Sequence, residues 1–317
     1  MLSLMIKVHL IFLIILIIFL FILFIFIFFL KKQDYYTSIN NKPKIYNLNI
    51  SLLKKYNFDY FIKNYGDMEV LITYSKPNSI DMLSNFKRVT IKKYCLDIMK
   101  NNPEWYFKTE DEYDFLALLD IKNPIIEIFD KLFNKYENII FKNTSFWMGG
   151  KNSTTGWHTD MDDLSYLYVI KGKKKISLIS PKYDNCMYIH NMYTKGSKWS
   201  CINFKNIDYN KFPKFKNVKI NTYILNEGDC IYIPRNWWHC VENLEDSIGI
   251  TYKLYRTKEC IASNILEKIR EIYYIIKMKK INTRDKMFEK LVTKEEYQHY
   301  NKKIIENNKK LMLKHNS

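Results

Sequence analysis

The chain has 317 residues, 47% of them hydrophobic and 16% aromatic. That supports one large packed domain or two small ones and excludes a disordered chain. Eight Gly and seven Pro exclude collagen-like and Gly/Pro-rich low-complexity classes. Fifty Lys+Arg against 33 Asp+Glu give a net charge of +17, which suits nucleic acid, an anionic membrane surface or acidic substrates. The charge is spread along the chain, as heavy Lys, Asn, Ile and Tyr usage alone would also give.

Residues 8–30 are uniformly apolar apart from His9. At ~1.5 Å per residue such a helix spans about 34 Å, enough for a ~30 Å hydrocarbon core. The run is too long for a signal-peptide core, and its exit at Phe28-Phe29-Leu30-Lys31-Lys32 has no small-residue cleavage site. Residues 1–32 are therefore expected to be a retained transmembrane anchor, and the polar stretch 31–44 a linker.

The remainder divides into an α/β part over 33–138, a β-rich part over 139–257 and C-terminal helices over 258–317. Residues 68–73 predict a strand and 90–101 a helix. A second helix is predicted over 123–136, with Asn123 as N-cap, Pro124 at its first position, and Ile125, Ile128, Phe129, Leu132 and Phe133 on its buried face. From 139 to 254, short apolar or alternating runs are separated by turn signals. Residues 170–173 and 226–229 predict hairpin turns. After 255, Ile261, Ile265, Ile269, Ile272 and Ile276 form one apolar stripe, which could serve a homodimer or pack on the barrel's own side. Six cysteines lack CxxC or zinc spacing and read as free thiols in a reducing compartment.

Two histidines stand in unusual settings. Trp157-His158-Thr159-Asp160 is placed at the head of a predicted strand, where residues i and i+2 share a face. Pro234-Arg235-Asn236-Trp237-Trp238-His239 follows a predicted turn and strand, with His239 at the strand's end. Two His and one carboxylate are the facial triad of non-haem Fe(II) oxygenases. A lone HxD is more often a surface turn or a satisfied polar pair; the distal histidine is what raises it above that.

The segments SFWMGG…TTGWHTD, YVIKGKKKISLISP and NEGDCIYIPRNWWHCVEN resemble the JmjC-related, cupin-like Fe(II)/2-oxoglutarate-dependent oxygenases, over roughly 45–255. The likeness is strongest to the hydroxylase branch, of the factor-inhibiting-HIF type. It implies a mainly β fold with flanking helices: a double-stranded β-helix, or jelly-roll, behind the N-terminal helix. It implies Fe(II) held by His158, Asp160 and His239, which are then the catalytic residues as well as the metal ligands. It implies 2-oxoglutarate as cosubstrate, contacted by Thr155, by Lys174 and by Tyr106. Strand alternation puts Lys174 on the opposite face from Lys173 and Lys175, so only one face can point inward. The hydroxylases often carry two asparagines that are missing here. Ser165 takes the first place. The second falls in Thr251-Tyr252-Lys253-Leu254, with Tyr252 as its counterpart. Both losses are expected near the cosubstrate end of the site.

Three functions are compatible with these residues. The first is an oxygenase that hydroxylates, or by hydroxylation demethylates, a protein or peptide side chain. The second is an inactive membrane-tethered cupin-like binding module. The third is an RNA-modifying oxygenase, for which the charge speaks and the anchor does not. Lys31, Lys32, Lys42 and Lys44 outweigh Lys7 across the anchor, so the catalytic domain is expected on the cytosolic side. The sequons at Asn49, Asn143 and Asn152 argue for the lumen.

Overall fold

The computed structural model describes residues 2–77, 86–109, 122–133, 139–160, 164–190, 198–256 and 306. The C-terminal helices and their isoleucine stripe lie outside the described residues, Glu306 apart.

Leu2–Asn40 forms one continuous helix. The polar stretch expected as a linker is thus helical as far as Asn40. Nothing between 31 and 40 breaks a helix, whereas Pro43 pushes the residue before it out of the helical region. Among the described residues no helix is long and apolar enough to cross a membrane. Side chains in this helix are described without interruption only over 11–26, and nearly all of them are exposed.

Thirteen strands are found among the described residues. They are β1 (Lys44–Asn47), β2 (Glu69–Tyr74), β3 (Phe86–Thr90), β4 (Trp105–Thr109), β5 (Ile139–Gly149), β6 (Thr154–Thr159), β7 (Leu164–Lys171), β8 (Lys174–Ile179), β9 (Lys198–Trp199), β10 (Ile220–Leu225), β11 (Asp229–Pro234), β12 (Trp238–Asn243) and β13 (Ser247–Arg256). Eight form one sheet in the order β1-β11-β7-β13-β5-β4-β2-β3, and five form another in the order β10-β8-β12-β6-β9. Among the described residues all strand pairings are antiparallel. This is the mainly β architecture of a cupin-type jelly-roll, in which β5–β8 and β10–β13 alternate between the two sheets.

That alternation corrects one expectation. The turns at 170–173 and 226–229 exist, and Gly172 (φ +77°) and Gly228 (φ +87°) supply the left-handed backbone they need. They are not hairpins, however: each carries the chain from one sheet to the other. A turn signal fixes a reversal of direction; pairing is settled by which apolar face each strand must bury.

Three apolar clusters follow from period-2 alternation. Leu167, Val169, Ile176, Leu178, Leu225, Ile231, Ile233 and Trp237 pack between the sheets. The outer face of the large sheet, including Tyr166, Ile250 and Tyr252, is covered by helices that contribute Phe61, Ile125, Phe129 and Phe133. The outer face of the small sheet, with Trp157 and Trp238, is covered by Met187 and by Ile202, Phe212 and Phe215 of the 198–218 segment.

The helix read at 123–136 is observed as Lys122–Phe133. Asn123 and Pro124 therefore lie within the helix, and Asn123 is not its cap. Leu132 is 43% exposed, so the buried stripe is narrower than read. The helix read at 90–101 runs as Ile91–Lys93, a π turn Tyr94–Ile98 and Met99–Asn101. Thr90 caps it, accepting from the Lys93 amide at 3.2 Å. The helix Phe58–Tyr65, capped by Asn57, was not anticipated. Its apolar residues are mostly aromatic and mixed with polar ones, which blurs the helical period.

Candidate functional site

β6 and β12 lie side by side with His158 directly opposite His239, and directly opposed residues in an antiparallel pair point to the same face. The sequence reading has the strand positions reversed: His158 lies near the end of β6 and His239 near the start of β12. Antiparallel pairing needs that arrangement, because only opposite ends meet. Asp160 lies one residue past the end of β6. One ligand atom from each of His158, Asp160 and His239 falls within 4.8 Å of the others. His158 Nε2 is 3.7 Å from Asp160 Oδ1, and His239 Nε2 is 3.6 Å from Asp160 Oδ2.

The ring orientations suit a cation. His158 Nδ1 lies 2.8 Å from the Gly156 carbonyl and His239 Nδ1 lies 3.2 Å from the Trp237 carbonyl. A carbonyl only accepts, so each Nδ1 carries the hydrogen and each Nε2 presents its lone pair to the centre. Burial pushes His158 down to about 3, helped by the neighbouring His239. Burial also lowers His239. Burial alone would raise Asp160, but Lys253 and the two histidines outweigh it and hold the carboxylate well below its ordinary range. Two neutral imidazoles and one carboxylate are the donor set a divalent transition metal takes, with further positions left for other ligands. The residues therefore fit Fe(II).

β6 carries a bulge against β12: His239 opposes His158, but Val241 opposes Thr155. Two residues of β12 thus span three of β6. Without the bulge, Thr155 would point away from His158's face. With it, Thr155 shares that face, while Trp157 turns outward into the apolar cluster beneath the sheet.

Lys174 begins β8 and is 4% exposed, while Lys173 and Lys175 reach outward to Glu245 and Glu242. Its ammonium donates to Asn243 Oδ1 at 2.7 Å. Burial lowers its pKa to about 7. No carboxylate among the described residues lies within ion-pair distance of it. Gly249 of β13 packs against its stem: a Cβ there would meet Lys174 Cε at 3.1 Å.

Tyr106, in β4, is 5% exposed, and its hydroxyl has no hydrogen-bond partner among the described residues. Its ring stacks on Trp147 with centroids 6.1 Å apart, and Trp147 Nε1 donates to Thr251 Oγ1 at 3.2 Å.

Two expected losses sort differently. Ser165 Oγ lies 3.5 Å from Asp160 Oδ2, so it belongs to the centre. Tyr252 does not. Its hydroxyl donates to Asp130 on the far side of the large sheet, and its ring stacks on Phe129. The next residue, Lys253, points inward, with Nζ 3.5 Å from Asp160 Oδ1. Lys253 was missed because the segment was read from Tyr252; alternation along β13 from Gly249 would have found it. Trp199, stacked on the His158 ring at 4.5 Å, was also missed. It lies on a two-residue strand with no periodic signal. Asn143, of the second sequon, is 5% exposed within β5, where a glycan has no room.

A cupin-like domain matches residues 41–258, more than half of the chain. JmjC domain-containing protein D of Dictyostelium discoideum is 37% identical over 117 residues, covering 37% of this chain and 25% of the relative. Arginine-specific demethylase JMJ20 of Arabidopsis thaliana is 33% identical over 122 residues, 38% and 26% of the two chains. Human HSPB1-associated protein 1 is 25% identical over 150 residues, 44% and 30%. The chain thus matches only about a quarter to a third of these relatives' length. With the jelly-roll, the triad geometry and this match together, the chain belongs to the JmjC-related family of cupin-like proteins.

Proposed function

We propose that the chain is an Fe(II)- and 2-oxoglutarate-dependent oxygenase that hydroxylates a protein side chain. The observation that carries this reading is the pairing, in one barrel, of a buried His158–Asp160–His239 centre with a buried Lys174 that has no carboxylate within ion-pair distance among the described residues. Iron and 2-oxoglutarate together would supply oxidation of an unactivated C–H bond by dioxygen. The chain's own residues bind and orient. The two Nε2 atoms and the Asp160 carboxylate hold the metal on one side. Lys174 takes one cosubstrate carboxylate as a point charge on a flexible stem, with the Thr155 and Tyr106 hydroxyls as further donors. The apolar cluster between the sheets supplies dry, low-dielectric surroundings.

A protein substrate is favoured by the family's company: one relative is named an arginine-specific demethylase and others HSPB1-associated proteins. Demethylation by hydroxylation of an N-methyl group needs no different centre. An inactive binding module is the second reading; the cation that Lys253 places beside Asp160 is the feature that favours it. For the Leu2–Asn40 helix we propose membrane attachment with the domain on the cytosolic side, supported by its exposed apolar side chains and by Lys31, Lys32, Lys42 and Lys44 on the C-terminal side of its apolar run.

The test is succinate release from 2-oxoglutarate by the Fe(II)-loaded chain, with and without methylated and unmethylated peptides, and with His239→Ala as control. Turnover that depends on Fe(II) and on His239 supports the enzyme. Tight binding of metal and 2-oxoglutarate with no succinate from any preparation would select the binding module.

A further inference from the structure

We propose that Asn243 is a positioning residue for the cosubstrate lysine: it fixes the Lys174 ammonium through a neutral acceptor and leaves the positive charge uncompensated for an incoming carboxylate. This rests on the reading of Lys174 given above.

The amide is oriented by its surroundings. Asn243 Nδ2 donates to Ser153 Oγ at 2.6 Å and lies 3.4 Å from the Gly150 carbonyl. A flipped amide would set its NH2 against the ammonium and its oxygen against that carbonyl. Oδ1 therefore faces Lys174, at 2.7 Å. The backbone is tied down at the same residue: the Asn243 amide donates to the Ser153 carbonyl at 2.9 Å, and the Asn152 amide donates to the Asn243 carbonyl at 2.8 Å. Asn243 also sits opposite Lys174 in the β12–β8 register, so both side chains face inward. Asn243 and Lys174 are each about 5% exposed.

Two glycines make room for this relay. A Cβ on Gly149 would lie 2.6 Å from Ser153 Oγ and 2.8 Å from Asn243 Nδ2, so any side chain there displaces the amide. Gly249 packs against the Lys174 stem from β13. Among the described residues, the groups that face the lysine are uncharged: Asn243 from β12, Gly249 from β13 and Leu225 opposite it on β10. Lys173 and Lys175 lead away to Glu245 and Glu242 on the outside.

The chemistry of the acceptor decides its effect. A carboxylate at 243 would also hold the ammonium, but as a buried ion pair that neutralises it. An apolar residue would leave the charge in place and let the four-carbon stem wander. An amide holds without neutralising. Asn243→Asp therefore turns a support into an internal competitor of the cosubstrate.

The experiment uses the full chain, metal-free for the first readout and loaded with Mn(II) for the second. Lys174 is titrated by NMR of its side chain in the metal-free protein. In Asn243→Asp its midpoint should rise by more than one pH unit over the parent. The dissociation constant for 2-oxoglutarate, by calorimetry, should weaken on the order of 30-fold or more, with Mn(II) affinity unchanged. Ser153→Ala, a milder change that frees the amide to turn, should weaken 2-oxoglutarate several-fold and serves if the aspartate variant does not fold. An unshifted Lys174 midpoint in Asn243→Asp overturns the proposal whatever the cosubstrate does, as does unchanged 2-oxoglutarate affinity in both variants while the parent binds. If Lys174 shifts as expected but the parent binds no 2-oxoglutarate, the positioning contact stands and the proposed function falls.

Discussion

Replacing Lys174 by Met should stabilise the protein without its cosubstrate and abolish the cosubstrate site. Met keeps the length and apolar stem of lysine and removes the ammonium. In the fold, burial lowers this lysine from its ordinary 10.5 to about 7. That gap corresponds to on the order of 5 kcal/mol of charge burial that the folded chain bears. The variant loses the donor to Asn243 Oδ1, which costs about 1–3 kcal/mol when a buried acceptor is left unmet. The net gain is then about 2–4 kcal/mol. The sign with pH follows from linkage. Below about pH 7 both folded and unfolded chains hold the proton, and the penalty is fully present. Between about 7 and 10.5 only the unfolded chain holds it, so the parent's stability rises with pH and the variant's advantage shrinks; above 10.5 the advantage is gone. The assay is urea denaturation of parent and Lys174→Met at pH 6, 8.5 and 10. Taking the difference between the two chains cancels the thiols and tyrosines that titrate in the same range. Equal stability at pH 6, or an advantage that grows with pH, would refute the placement of this lysine in a pocket without an anion.

His239→Ala should eliminate Mn(II) binding measured by electron paramagnetic resonance while leaving the β-sheet circular dichroism intact; undiminished binding in both His158→Ala and His239→Ala would dismiss the centre. Lys253→Met should tighten Mn(II) binding tenfold or more in the absence of 2-oxoglutarate, because a cation roughly 5 Å from a divalent ion repels it by several kcal/mol even at an effective dielectric of ~20. Weaker binding would mean that the lysine serves instead to orient Asp160. Tyr252→Phe should cost about 1.5–3 kcal/mol of stability through the lost hydrogen bond to the Asp130 carboxylate, with 2-oxoglutarate affinity unchanged. A selective loss of cosubstrate binding would put Tyr252 back in the pocket.

The fold class and the triad were legible because they rest on short-range rules. Period-2 alternation separates Lys174 from its flanking lysines, and the HxD spacing sets two ligands on one face. What alternation cannot reveal is where it is broken. Thr155 lies three residues before His158, a spacing that puts it on the wrong face of an unbroken strand; only the bulge in β6 returns it to the site. The turns at Gly172 and Gly228 were legible as turns. Their partners were not, because pairing depends on contacts far apart in sequence, such as β7 with β13 and β11. Trp199 and the relay residues Asn243 and Ser153 carry no local pattern and come into view only when β6, β8, β9 and β12 are laid side by side.

The missing asparagines show how the two levels meet. Read along the chain they are two separate losses, at Ser165 and near Tyr252. Across the sheet they are one event. Ser165 of β7 lies directly opposite Lys253 of β13 in the register, and both side chains reach Asp160, the serine toward Oδ2 and the lysine toward Oδ1. Asp160 stands just beyond β6, outside the ladder that fixes the histidines, so its carboxylate is held by this pair rather than by backbone pairing. Beside Asp160 this chain sets a hydroxyl, from Ser165, and a cation, from Lys253. The exchange leaves the three metal-binding atoms within reach of one another and changes the charge beside them. Its consequence therefore falls on how strongly the centre holds a divalent ion and how much it gains from an accompanying anion. A cation beside the centre opposes the metal and attracts a carboxylate, so metal and 2-oxoglutarate should each bind more tightly in the other's presence, and that mutual dependence should weaken in Lys253→Met.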